Sequence, residues 1–134
     1  MIRFATMNVP EQLLYSSDHE WVLREEGSSR VKVGITDYAQ DALGDVVFVQ
    51  VPTTGNIVLR GETITEVEST KSVSDIYAPV TGTIVEVNDA LSESPQLLNE
   101  DPYGDGWICI LDVNEVADLD SLMAAADYSA TVEG

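Results

Sequence analysis

Short runs of β-prone residues, each bounded by glycine, proline or polar turn residues, recur along the chain from residue 19 to residue 111. Runs this short and closely spaced predict antiparallel strands joined by tight turns, and they do not fit the alternating strands and helices of a parallel α/β sheet. At 134 residues the chain has the length of one domain, so one core must suffice. The predicted strands cover residues 19–24, 30–35, 46–51, 57–59, 62–68, 73–77, 82–88 and 107–111.

A weak internal repeat adds to this pattern. Residues 44–51 (GDVVFVQV) are similar to residues 82–88 (GTIVEVN), so two related strand units flank the middle of the chain. Two such halves packed face to face predict a mainly β domain in the form of a flattened barrel or sandwich. We expect a single domain over residues 1–134, with its core at about residues 12–113.

Two helices are predicted in addition to the strands. Thr36 is suited to cap a short internal helix that ends at Gly44. A second, amphipathic helix is predicted at residues 114–128, where apolar residues recur at spacings of three and four. Those apolar residues are Val116, Leu119, Met123 and Ala126.

The charge is strongly acidic. Six basic and 24 acidic residues give a net charge of −18, and residues 72–134 contain 13 acids and no base. Such a chain repels phosphate backbones and anionic membranes, so neither nucleic acid nor a membrane is an expected partner. The acidity fits two interpretations, plain solubility or a surface that attracts basic protein partners.

The first ten residues carry neither the apolar segment of a signal peptide nor the Arg- and Ser-rich character of a transit peptide. No apolar run approaches the roughly 18 residues that span a bilayer. We therefore expect a cytoplasmic protein, or one of the mitochondrial matrix only if the source is eukaryotic. We also expect a monomer.

Metal and nucleophile chemistry find little support. With one cysteine and one histidine, a Cys/His zinc site is excluded by count. Residues 101–106 (DPYGDG) mimic a calcium loop, but Tyr103 occupies the third position and Asp112 stands where a bidentate Glu belongs. A Cys109/His19 nucleophilic pair is formally possible, although a cysteine in a buried strand is usually inert. We predict no catalytic residue and no metal site.

Lys71 has the most informative setting. The chain has two lysines, Lys32 and Lys71, and Lys71 lies in the polar segment between two predicted strands. Gly61 and Gly82 fall almost symmetrically about it, so the pattern predicts a hairpin with Lys71 at its tip. A lysine on such a turn is accessible to a modifying enzyme, although exposed lysines on turns are common without any such role.

The residues around Lys71 resemble the lipoyl-lysine motif of the glycine cleavage H-protein family. The similarity begins with residues 68–72 (ESTKS) and continues through residues 74–82 (SDIYAPVTG), with Thr70 in place of the Val more usual before the lysine. Further blocks follow the family order, so that the resemblance spans roughly residues 12–128. These blocks are HEW at 19–21, VGITD at 33–37, AQ at 39–40, LGDVVFV at 43–49 and NEDPYGDGW at 99–107.

The resemblance implies a fold and a function. The fold is a barrel-sandwich hybrid like that of lipoyl and biotinyl carriers, with a C-terminal helix. The function is that of a non-catalytic carrier with lipoate joined to Lys71 by an amide. It would carry the aminomethyl group of glycine from a pyridoxal-phosphate glycine decarboxylase to a tetrahydrofolate-dependent aminomethyltransferase. A flavin-dependent dihydrolipoyl dehydrogenase would reoxidise its dithiol, and a lipoate-attaching enzyme would install the group.

The resemblance also makes Glu20 and Asp75 candidates for a cleft that holds the loaded, cationic arm. From the residues alone, the favoured interpretation is that both are solvated surface acids. Two alternatives for the whole chain stay open: a lipoate relay protein, or another swinging-arm carrier of lipoate or biotin.

Overall fold

Short strands dominate the computed structural model, which describes residues 8–133. The mainly β prediction, with a short internal helix and a C-terminal helix, is confirmed. The strands are β1 Leu14–Tyr15, β2 Glu20–Arg24, β3 Arg30–Ile35, β4 Val46–Val49, β5 Ile57–Val58, β6 Thr63–Ser69, β7 Val73–Tyr77, β8 Gly82–Val87 and β9 Cys109–Val113. The helices are α1 Asp37–Leu43, α2 Ala90–Glu93, α3 Leu97–Glu100, a 3₁₀ helix Val116–Ser121 and α4 Ala125–Glu133.

The strands form two antiparallel sheets, one of six strands in the order β1-β2-β3-β9-β8-β5 and one of three in the order β4-β6-β7. The two units of the internal repeat supply β4 to the small sheet and β8 to the large one. One apolar core joins both sheets, because Val33 and Leu111 of the large sheet belong to the same buried cluster as Val67 and Ile76 of the small one. The burial of this shared core holds the two sheets together.

Helix α1 has the predicted start and end. The Thr36 side chain accepts a hydrogen bond from Ala39 N at 3.1 Å, which satisfies one of the free amides of the first turn. Gly44 follows the last helical residue with φ at 81°, in the region that favours glycine. The two caps thus set where α1 begins and where it ends, just before strand β4.

The C-terminal helix differs from its prediction. Residues 114–128 do not form one helix: the 3₁₀ helix ends at Ser121, and α4 begins only at Ala125. Between them, the backbone of Met123 forms an isolated β-bridge with Tyr15, with N–O distances of 2.8 and 2.7 Å. Because this bridge uses the amide and carbonyl that a helix would need internally, it breaks the predicted helix in two.

The polar stretch before β9 is also more structured than its sequence indicates. It contains the one-turn helices α2 and α3, which bury Leu91 and Leu98 in the core. Residues 1–7 and 134, which the single-domain prediction includes, lie outside the described residues. Within residues 8–133, none of the helices combines the length and the apolar character needed to cross a membrane.

Candidate functional site

Lys71 lies at the tip of the β6–β7 hairpin, as predicted. Register pairs Glu68 with Val73, which leaves the four residues 69–72 in the turn. The Ser69 hydroxyl accepts hydrogen bonds from the amides of Lys71 and Ser72, each at 3.2 Å. A serine that binds the next amides in this way gives the turn a defined shape, so the lysine backbone is held although its side chain is exposed.

The hairpin tip is attached to the end of α1. The amide of Thr70 donates to the Asp45 carbonyl at 3.0 Å, and the Asn99 side chain binds the same loop. The Asn99 side chain donates to the Gly44 carbonyl at 2.8 Å and accepts from Val46 N at 2.9 Å. The turn that carries Lys71 is therefore fixed relative to α1 through residues far apart in the sequence.

A cleft opens beside the hairpin, between α1 and β7. Its lining includes Leu43 and Tyr38 from α1, together with Ser72 and the exposed Asp75 from the hairpin. We call it the α1 cleft. Its walls are mainly apolar, and Asp75 places a carboxylate at its edge four residues after Lys71. Such a cleft fits a group that has a hydrophobic body and a cationic end.

Glu20 lies elsewhere, in a second cavity that is lined also by Ser16, Arg60 and Met123. The Glu20 side chain is only 1% exposed, and its carboxylate accepts hydrogen bonds from Ser16 Oγ at 2.5 Å and from Tyr77 N at 3.4 Å. Burial raises its pKa to about 7 against the opposing effect of the Ser16 hydrogen bond. The structure thus does not bring the two acidic candidates into one cavity. Both are nevertheless associated with β7: Asp75 belongs to this strand, and Glu20 accepts a hydrogen bond from its last residue, Tyr77.

Cys109 and His19 do not meet as a nucleophilic pair. Cys109 is buried in the main core, where burial raises the pKa of its thiol to about 12. His19 instead binds Tyr128 through its Nδ1. The residues of the calcium-like segment serve the fold, since the Asp101 carboxylate accepts from Asp105 N at 2.9 Å. Among residues 8–133 no cluster of three or more His, Cys, Asp or Glu side chains could hold a metal ion.

No role was assigned from the sequence to two residues near the site, Asn99 and Tyr128. Asn99 belongs to a block that carries the family resemblance, and only this membership could have pointed to its contacts with Gly44 and Val46. Tyr128 gave no local signal, because its partners His19 and Thr36 precede it by 109 and 92 residues. Contacts at such separations follow from the packing of α4 on β1 and not from any nearby pattern.

Residues 13–134 match the protein-family model described as Glycine cleavage H-protein. The "Glycine cleavage system H protein" of Thermus thermophilus is 53% identical over 127 residues, which cover 95% of this chain and 98% of the relative. Its counterpart in Coprothermobacter proteolyticus is 52% identical over 122 residues, covering 91% of this chain and 95% of the relative.

The fold agrees with these similarities. The crystal structure of a glycine cleavage system H protein from Mycobacterium marinum superposes with a TM-score of 0.84 at 42% sequence identity. The superposition covers 94% of this chain and all of that one. The predicted barrel-sandwich architecture, formed here by two antiparallel sheets, is confirmed.

Proposed function

Since this chain belongs to the glycine cleavage H-protein family, we propose that it is a carrier protein of the glycine cleavage system that bears lipoate on Lys71 and catalyses no reaction itself. The observation that carries the proposal is the position of Lys71. It lies exposed at the tip of an ordered hairpin, within the block that resembles the lipoyl-lysine motif.

The residues present fit a covalently attached lipoate. An amide to lysine needs an amine that an attaching enzyme can reach on a turn of defined shape. Lys71 meets both conditions through its exposure and through the Ser69 hydrogen bonds. Lys32 does not: it lies within β3, is partly buried, and its Nζ is 5.2 Å from the centroid of the Trp107 ring.

When bound, lipoate supplies a strained cyclic disulfide that can open to accept the aminomethyl group of glycine and can later be reoxidised. The part of this chain is to hold and shield what Lys71 carries. The apolar wall of the α1 cleft would shield this group from water, and the Asp75 carboxylate would accept hydrogen bonds from a cationic amine. Glu20, buried with a raised pKa, would bind a cation only by losing its proton.

The proposed partners are the enzymes that act in turn on the carried group. They are the pyridoxal-phosphate glycine decarboxylase, the tetrahydrofolate-dependent aminomethyltransferase, the flavin-dependent dihydrolipoyl dehydrogenase and the lipoate-attaching enzyme. The bacterial sources of the similar proteins support a cytoplasmic location.

An intact mass with peptide mapping tests the proposal. The protein is isolated from cells supplied with lipoate and biotin, and the peptide that contains Lys71 is identified. Lipoate on Lys71 supports the proposal. Biotin on Lys71 would replace it with another swinging-arm carrier, and an unmodified Lys71 in cells that lipoylate other carriers would overturn it.

A further inference from the structure

A chain of hydrogen bonds joins the C-terminal helix to the α1 cleft. The Tyr128 hydroxyl of α4 lies 2.8 Å from His19 Nδ1 and 2.7 Å from Thr36 Oγ1. Thr36 Oγ1 in turn accepts the amide hydrogen of Ala39, as the N-cap of α1. The chain therefore passes from the start of α1 through the C-terminal helix to the imidazole of His19.

The donors and acceptors along these hydrogen bonds can be assigned in one consistent way. Thr36 is fully buried, and Tyr128 Oη is the acceptor that its hydroxyl hydrogen reaches among the described residues. A buried hydroxyl that leaves its hydrogen unused loses a hydrogen bond, so Thr36 donates to Tyr128. The Tyr128 hydrogen then goes to His19 Nδ1, which must be bare to accept it. In a neutral imidazole the remaining hydrogen is on Nε2.

The geometry keeps His19 in this state. Its backbone is in the left-handed region, with φ at 71°, and is held by Ser16 O and Thr36 N at 3.2 and 3.1 Å. Tyr128 is itself fixed by stacking on Tyr15, with ring centroids 4.6 Å apart and planes within 7°. The Tyr38 ring also packs on the imidazole, with the ring centroids 4.6 Å apart. His19 thus presents a fixed ring to the α1 cleft, which it lines together with Asp75.

We propose that His19 is a positioning residue of the α1 cleft: Tyr128 holds it as the neutral Nε2–H tautomer, and this N–H donates a hydrogen bond to the group carried by Lys71. The second half of the proposal rests on the proposed function, while the tautomer itself does not. The C-terminal helix is then part of the site, because α4 supplies the hydroxyl that sets the tautomer.

The charged and titratable groups around the imidazole come from four places. They are Asp18 from the same loop, Tyr38 from α1, Asp75 from β7 across the cleft, and Tyr128 from α4. Burial lowers the pKa of His19, against a smaller opposing effect of Asp18. Protonation would also place a hydrogen on Nδ1 against that of Tyr128, so both effects favour the neutral ring.

The tautomer can be measured directly, because the sequence contains one histidine. Nitrogen-15 NMR of the labelled protein, before lipoylation, separates the two ring nitrogens by chemical shift and by coupling to hydrogen. We expect Nε2–H to be favoured by about tenfold, as an ordinary hydrogen bond to Nδ1 requires. Tyr128→Phe keeps the ring that stacks on Tyr15 but lacks the donor, and should lower the ratio of Nε2–H to Nδ1–H.

Two further variants separate this role from general packing. Tyr38→Phe changes the other aromatic neighbour of His19 but none of the hydrogen bonds between Thr36, Tyr128 and His19. This variant should have the same tautomer ratio as the parent protein. Thr36→Ser keeps both the hydroxyl and the N-cap bond, and should also leave it unchanged. A parent protein with its hydrogen on Nδ1, or a Tyr128→Phe variant with an unchanged tautomer ratio, would overturn the assignment.

The contact with the carried group is tested by comparing the unmodified protein with the same protein lipoylated on Lys71. We expect the Nε2 hydrogen to exchange with water severalfold more slowly after lipoylation. In Tyr128→Phe, lipoylation should slow this exchange by a smaller factor. Equal exchange in the two forms would remove the positioning role while leaving the tautomer intact. If Lys71 is never lipoylated, the proposed function fails, but the tautomer result still stands.

Discussion

The side chain of Lys71 lies across Gly44. A Cβ added at Gly44 would come within 2.7 Å of Lys71 Cε, closer than two carbon atoms can pack. Gly44 also ends α1 at a φ of 81°, and its carbonyl is held by Asn99. The lysine proposed to carry lipoate therefore rests on the end of the helix that forms one wall of the cleft.

This contact predicts the effect of Gly44→Ala. At φ 81° and ψ −162°, a region that is occupied essentially only by glycine, another residue costs about 1–3 kcal/mol, and the new methyl group should displace the Lys71 stem. Lys71 should then react faster with a small acylating reagent such as acetic anhydride, measured by peptide mapping. Gly61→Ala is the matched control, since Gly61 has a φ of 89° and no heavy atom within 4 Å of an added Cβ. Equal acylation rates in the two variants would show that the contact with Gly44 does not shield the lysine.

Lys71→Arg should abolish lipoylation while leaving the fold unchanged. Arginine keeps the charge at an exposed turn, where substitutions usually change the free energy of unfolding by no more than about 0.5 kcal/mol. Its guanidinium is protonated at physiological pH and is not the amine that amide formation needs. Intact mass after incubation with a lipoate-attaching enzyme, together with a melting curve, measures both effects. Lys32→Arg is the control and should be lipoylated normally; lipoate found on Lys32 would contradict the assignment.

Glu20 should make stability depend on pH in the range where most carboxylates no longer titrate. Its pKa in the folded protein is about 7, raised by burial from an ordinary value of 4.5, so the folded state binds this proton more tightly than the unfolded state. The protonated carboxyl therefore makes its full contribution to the free energy of unfolding below about pH 4.5, and this contribution is lost as pH rises through about 7.

Glu20→Gln should remove this pH dependence and stabilise the protein at pH 8 by on the order of 2 kcal/mol. The measurement is urea unfolding at several pH values from 5 to 8, with the exposed Glu66→Gln as control. Parallel stability curves for Glu20→Gln and the parent would show that Glu20 does not titrate in this range.

Docking to the partner enzymes should weaken with salt. Residues 72–134 carry 13 acids and no base, and attraction between exposed charges is screened over about 8 Å at physiological ionic strength. The apparent affinity for the glycine decarboxylase should fall between about 0.01 and 0.15 M salt. A variant with Glu115→Gln, Asp118→Asn and Asp120→Asn should show a shallower salt dependence. A flat salt response of the parent would leave solubility as the role of the acidity.

Several features of the site were predictable because they depend on neighbouring residues. The Val73–Tyr77 strand has the predicted bounds, and Thr36 and Gly44 cap α1 as expected. Lys71 is at a hairpin tip because two β-prone runs flank a short polar segment. Caps, turns and strand alternation act over a few residues, so the sequence alone determines them.

Contacts between distant segments were decided only by the tertiary structure. The bridge between Met123 and Tyr15 broke a helix whose apolar spacing was regular, because backbone groups pair with whatever strand lies beside them. The surroundings of Glu20 depend on residues 78–79 and 121–123, which line the same cavity although they lie far from this residue in the sequence. The link from Tyr128 to His19 arises in the same way, since helix α4 reaches the start of β2 only by packing on β1, where Tyr128 stacks on Tyr15.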